Sequence, residues 1–182
     1  MNKSLGVVVL VLALAIMGCQ QEEKQQKMNY TAAPMPSAMP TQMQVGQLEA
    51  AAKAAPKNPQ AWISLGDSLM DSQRFSDAIE AYKKGLALDP KNVNARVDLG
   101  TCYRGIGKFT QAVDEYQKAL KTDPNHPNGH RNLGVVLAYD LHDTAGGLKE
   151  FQKYLELAPN APDANGVRQA VQELGSMKPV GK

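Results

Sequence analysis

The residues of this 182-residue chain whose types could do metal or redox chemistry are three histidines, two cysteines and a run of methionines. His126 and His130 are four apart, the spacing that sets two imidazoles on one helix face for zinc. Pro127 stands between them, so His126 falls in the turn before a helix. His142 stands apart from both, so the three read as turn and surface histidines. Met28, Met35 and Met39 carry soft thioethers that suit Cu(I), but no His or Cys is placed among them. No nucleophile accompanies a base, no glycine-rich loop could cradle a phosphate, and no C-x-x-C-H could attach a haem. Gly146 and Gly147 read as the start of a helix. The expectation is a chain that is not an enzyme and holds no metal or cofactor, so that its work is done by a surface.

The surface is not one for nucleic acid. Twenty basic and 18 acidic residues leave a formal charge of +2. Residues 59–92 carry four basic and five acidic side chains, and 93–126 carry five and four. A long basic stripe is therefore missing. With only Cys19 and Cys102, a disulfide framework is excluded. Cys102 reads as a small apolar residue inside a helix pair, with a disulfide-linked dimer as the alternative.

Apolar residues make up 43% of the chain, in one N-terminal block and then periodically after residue 43. Met1 to Ser4 is polar with one lysine, and Leu5 to Met17 is an apolar run of 13 residues, too short to cross a bilayer comfortably. The run ends at Gly18-Cys19. Ile16-Met17-Gly18-Cys19 resembles the bacterial lipobox. That resemblance implies a signal peptide over 1–18, cleavage before Cys19, and lipidation of its thiol. Several acyl chains would hold lastingly, since each buried methylene adds roughly 0.8 kcal/mol. Gln20, in place of the aspartate that often retains such proteins in the inner membrane, favours the periplasmic face of the outer membrane. Residues 19–42, with Pro34, Pro36 and Pro40, read as a disordered tether. Such a tether spans about 25 Å as a coil and at most about 80 Å fully extended.

The rest of the chain is built from a repeat. Leu65-Gly66, Leu99-Gly100 and Leu133-Gly134 recur 34 residues apart, as do Ala78 and Ala112, Tyr82 and Tyr116, Leu86 and Leu120, and Pro90 and Pro124. Gly147, Phe151, Leu155 and Pro159 continue the series displaced by 35, so one extra residue has entered, expected in the turn Asp140–Thr144. Trp62, Leu65, Gly66, Leu69, Ala78, Tyr82 and Pro90 follow the pattern of the tetratricopeptide repeat (TPR), and the chain resembles that family over 59–161. The second copy has Arg96 and Tyr103 in the pattern, and the third has His130 and Leu137. The aromatic is thus missing at 96 and 130, and Gly147 replaces alanine, so the third repeat is expected to be the looser one.

The resemblance implies an all-α, right-handed superhelical solenoid of three helix hairpins: 59–92, 93–126 and 127–161. A half-repeat helix over 43–58, with Leu48, Ala52 and Ala55 facing the first hairpin, and a capping helix over 162–175 close its ends, leaving 176–182 as a tail. The cap is expected to bury Val167, Ala170, Val171 and Leu174. Family geometry further implies a concave groove lined by Gln60, Ile63, Asp67 and Met70; Asn94, Val97, Thr101 and Arg104; and Asn128, Arg131, Val135 and Ala138. The lysine, asparagine and arginine clamp of chaperone-binding members would fall at Ile63, Asp67, Asp98, Asn128 and Asn132, so an acidic C-terminal peptide is not the expected ligand. The implied function is a membrane-anchored periplasmic adaptor or assembly factor, a monomer or weak oligomer binding another protein or an extended peptide. It is similar to the TPR modules of cytochrome c maturation and envelope assembly. A self-associating envelope spacer without a client, and an accessory subunit of a redox or metalloenzyme system, are the alternatives.

Overall fold

The computed structural model describes residues 42–176; the signal peptide, Cys19 and nearly all of the tether expected from the sequence lie outside them. Eight helices and no strand occur among the described residues: α1 (Gln42–Ala54), α2 (Pro59–Asp71), α3 (Phe75–Leu88), α4 (Val93–Gly105), α5 (Phe109–Thr122), α6 (Pro127–Val135), α7 (Thr144–Leu157) and α8 (Ala164–Ser176). Each packs chiefly on its neighbours in sequence, and α2, α4 and α6 also touch one another in series. That is a one-dimensional stack, in which stability comes from pairing neighbours.

Local signals start and stop each helix. Asn58 and Asn92 cap α2 and α4, accepting from the backbone N–H groups of Gln60 and Ala95, and His126 does the same for α6 with its Nδ1. Proline stands in the first turn of α2 and α6, where its missing N–H is no loss. Between the two helices of each hairpin the chain passes through a left-handed residue: Gln73 (φ 58°), Gly107 (φ 74°) and His142 (φ 58°).

Packing within a hairpin is a glycine facing an aromatic ring. A Cβ on Gly66, Gly100 or Gly134 would lie 2.8, 2.6 or 2.7 Å from the ring of Tyr82, Tyr116 or Phe151. All three rings are fully buried, so a methyl there has nowhere to go. Leu65, Leu69 and Leu86 fill the space between neighbouring pairs. In α1 the buried residues are Val45 and Ala52, while Ala55 lies past the helix end and is exposed, contrary to expectation. In α8 Val167, Ala170 and Leu174 are buried and Val171 is half-buried.

The extra residue of the third repeat is not in the turn. From Gln73 to Gly107 is 34 residues and from Gly107 to His142 is 35, so the turns match and the insertion precedes His142. The helix absorbs it as one π turn, Val136–Asp140, continuing α6. The wider turn pushes its backbone against α7. A Cβ on Gly147 would meet the Ala138 nitrogen at 2.9 Å and its Cα at 3.0 Å. Gly147 therefore stands where Ala78 and Ala112 do because there is no room for a methyl, not because the repeat is loose. The core divides at the same place: Val136 belongs to the cluster running back to Val45, Val135 and Ala138 to the one shared with α7 and α8.

The missing aromatics are replaced in kind. Trp62 donates its indole N–H to the Pro56 carbonyl at 3.1 Å. Arg96 donates to the Pro90 carbonyl at 2.9 Å, and His130 Nε2 faces the Pro124 carbonyl at 2.9 Å. Each ties the start of its hairpin to the preceding stop, six residues back. Arg96 and His130 also reach a carboxylate on the next helix, Glu115 at 2.8 Å and Glu150 at 2.6 Å.

Candidate binding face

The face with side chains to spare is the one formed by α2, α4 and α6. The residues expected there divide into three groups. Ile63, Val97, Val135 and Ala138 are core residues, 6%, 3%, 8% and 5% exposed; they cannot meet a partner in the closed fold, which corrects the expectation. Ile63 is drawn inward because Gly85 leaves space opposite it: a Cβ there would lie 2.8 Å from Ile63 Cγ1.

A second group binds one repeat to the next. Arg104 donates through Nε to Asp140 of the π turn at 2.5 Å. Thr101 meets the Tyr116 hydroxyl at 3.2 Å and accepts from Asn132 Nδ2 at 3.3 Å. Asn94 Oδ1 lies 2.8 Å from His126 Nε2; since His126 Nδ1 already accepts from Gly129, Nε2 must be the donor. Arg131 pairs with Asp163, which also accepts from Tyr154. With the carbonyl and carboxylate on His130, both ring nitrogens of His126 and of His130 are engaged.

The third group remains open to solvent: Gln60 and Asn128 are exposed, and Asp67 and Met70 are half-buried. Tyr82 donates to Asp67 at 2.7 Å, yet burial pushes the Asp67 carboxyl above its ordinary range. Asp98, on α4, has no hydrogen-bond or ion-pair partner among the described residues. Burial, with Asp67 and Asp71 close by, pushes its carboxyl up to about 7. In sequence Asp98 stands only as a failed clamp position, and no local signal marks it, since Arg74, Lys83, Lys84, Lys91 and Arg96 lie between it and Asp71.

Cys102 is fully buried, and burial raises its thiol to about 12. It packs as a small apolar residue, and a disulfide through it requires the hairpin to open.

A tetratricopeptide-repeat family profile matches residues 69–133. No curated protein matches the sequence at a significant level. Among solved structures, the protein MamA superposes with a TM-score of 0.63 at 23% identity, over 72% of this chain and 82% of that one. The first TPR domain of Spaghetti (RPAP3), bound to the HSP90 peptide SRMEEVD, gives 0.60 at 23% identity, over 65% and 94%. The TPR2B domain of yeast Sti1 in complex with an Hsp70 peptide gives 0.61 at 14% identity, over 66% and 98%. The fold is a tetratricopeptide-repeat solenoid. Two of these TPR neighbours hold a peptide, and the fold is one that commonly binds partner proteins or peptides rather than carrying out catalysis.

Proposed function

We propose that this TPR protein is a lipid-anchored adaptor of the bacterial envelope, holding a basic, extended segment of a partner protein against α2, α4 and α6. The observation that carries the binding reading is Asp98. A carboxylate left half-buried and unpaired beside Asp67 and Asp71 destabilises the free fold, and a cationic group placed there relieves it. Nearby bases are committed: Arg104 to Asp140 and Arg131 to Asp163. An acidic C-terminus such as SRMEEVD would instead meet Asp67 and Asp98 at two of the clamp positions.

The sign of the pH dependence follows. The folded chain keeps the Asp98 proton up to about pH 7, whereas an unfolded carboxyl releases it near its model value of 3.8. The contribution of Asp98 to stability is therefore greatest in acid and falls as pH rises from 4 to 7, then levels off. A cationic peptide needs the ionised form, so its affinity rises over the same interval. Titration of the purified chain with an extended peptide carrying two lysines should show roughly tenfold tighter binding at pH 8 than at pH 5.5. Asp98→Asn should flatten that dependence and stabilise the free chain at pH 8 by about 1–2 kcal/mol. Equal or stronger binding of SRMEEVD would refute the basic-partner reading.

The anchor rests on the lipobox resemblance at Cys19, with Gln20 favouring the inner leaflet of the outer membrane. Cells fed labelled palmitate should yield labelled protein in the membrane fraction. Cys19→Ser should abolish the label, and label retained by that variant would place the lipid elsewhere.

A further inference from the structure

The second and third hairpins share a carboxylate that the first does without. In the second, Glu115 stands between Arg96 at 2.8 Å and Lys118 at 2.9 Å. In the third, Glu150 lies 2.6 Å from His130. The repeat spacing puts Trp62 in the place of Arg96 and Ala81 in that of Glu115, yet it keeps the lysine: Lys84 corresponds to Lys118 and Lys153. Lys118 pairs with Asp114 and Glu115, and Lys153 with Glu156 at 3.1 Å. Lys84 lies 4.3 Å over the Trp62 ring and has no carboxylate partner among the described residues. Beside it is a half-open cavity of about 260 Å³ walled by α1, α2 and α3, with Val45, Trp62, Leu65, Leu69 and Ala81 as its apolar part. Its rim carries three acidic and three basic side chains. Glu49 pairs with Lys53 at 2.8 Å, Arg74 with Asp77 at 2.6 Å, and Glu80 with Lys83, outside the cavity, at 3.1 Å. Lys84 is thus the rim charge left without an opposite one.

We propose that this cavity binds a small monocarboxylate with a compact apolar body. Its carboxylate sits beside Ala81, where Glu115 stands in the next hairpin, and Lys84 meets its charge. The Trp62 indole N–H is committed to the Pro56 carbonyl, so the lysine is the donor. Lys84 is exposed, so the ion pair adds a modest factor, and the apolar body supplies the rest by covering Val45, Leu65 and Leu69. The volume lies near the lower bound of small-molecule sites, about 300 Å³, which fits one compact acid. A dicarboxylate or a polyphosphate would bring its further charge against Glu49, Asp77 and Glu80. A cationic ligand would meet Lys84 unopposed. The cavity shares no residue with the α2, α4 and α6 face proposed above, so neither reading depends on the other.

The test titrates the purified full chain with phenylacetate, and separately with phenylacetamide, which keeps the shape and loses the charge. Trp62 is the only tryptophan of the chain, and its fluorescence reads Lys84 being drawn off the ring. Phenylacetate should bind saturably and about fivefold more tightly than the amide. Lys84→Met keeps an apolar stem over Trp62 and should erase that difference. Ala81→Glu, which builds in the carboxylate of the other two hairpins, should weaken phenylacetate by about tenfold or more, since it fills the cavity and sets like charges together. Equal affinity for the acid and the amide, in the parent chain, would overturn the proposal. So would binding of the acid unaltered by both variants, or no saturable change in fluorescence up to about 10 mM phenylacetate.

Discussion

Gly147→Ala destabilises the fold by about 2–3 kcal/mol, read from urea unfolding. The direction is opposite to the usual one. Alanine within a helix is normally the better residue by up to about 1 kcal/mol, and this repeat position holds alanine at Ala78 and Ala112, both fully buried. At Gly147 the added methyl would sit 2.9 Å from a backbone nitrogen of the π turn. Backbone cannot swing aside as a side-chain tip does, so α7 must move off α6 and loosen Phe151 and Tyr154 from their buried sites. Deleting Leu141, which restores the 34-residue spacing, should remove the cause. The Leu141 deletion combined with Gly147→Ala should therefore be more stable than the sum of the separate effects. A neutral or stabilising Gly147→Ala would contradict the close approach.

Arg96→Ala costs about 2–3 kcal/mol. Glu115 is only 9% exposed, with Arg96 at 2.8 Å and Lys118 at 2.9 Å. Without the guanidinium, the carboxylate stays buried with one exposed lysine for a partner, and the Pro90 carbonyl loses its donor. Arg96→Trp together with Glu115→Ala recreates the Trp62, Ala81 and Lys84 arrangement of the first hairpin. It should lie within about 1 kcal/mol of the parent, since an ion pair replaced whole by apolar groups loses little. A double-mutant cycle measures the coupling; additive single and double variants would show that the pair does not act as a unit.

The fold was legible because a repeat needs only residue identity at fixed spacing. Leu65-Gly66 and its copies and the stops at Pro90 and Pro124 all act within a few residues of where they stand in sequence. The insertion was legible as a count but not as a place. A turn and a π turn both absorb one residue, and what decides between them is the contact of Ala138 with Gly147 across two helices. Arg96 and His130 looked like losses because their substitute, a carboxylate on the next helix, lies 19 and 20 residues away. The signal was there in the exchange of Ala81 for Glu115 and Glu150. The groove was the least legible part. Position along a helix assigns a face, but whether that face is open depends on the opposite residue, and Gly85 takes Ile63 inward. Asp98 gains its character from burial, and then from Asp67 and Asp71 on another helix, which no single segment reveals.

The most direct test of the central claim is photo-crosslinking in living cells from Met70, Thr101 and Asn128 on the α2, α4 and α6 face, with the exposed Lys118 of α5 as control. The account predicts a discrete partner protein captured from all three positions and not from Lys118, contacted through a lysine- or arginine-bearing segment. Capture from Lys118 alone, or of nothing but further copies of this chain, would contradict it.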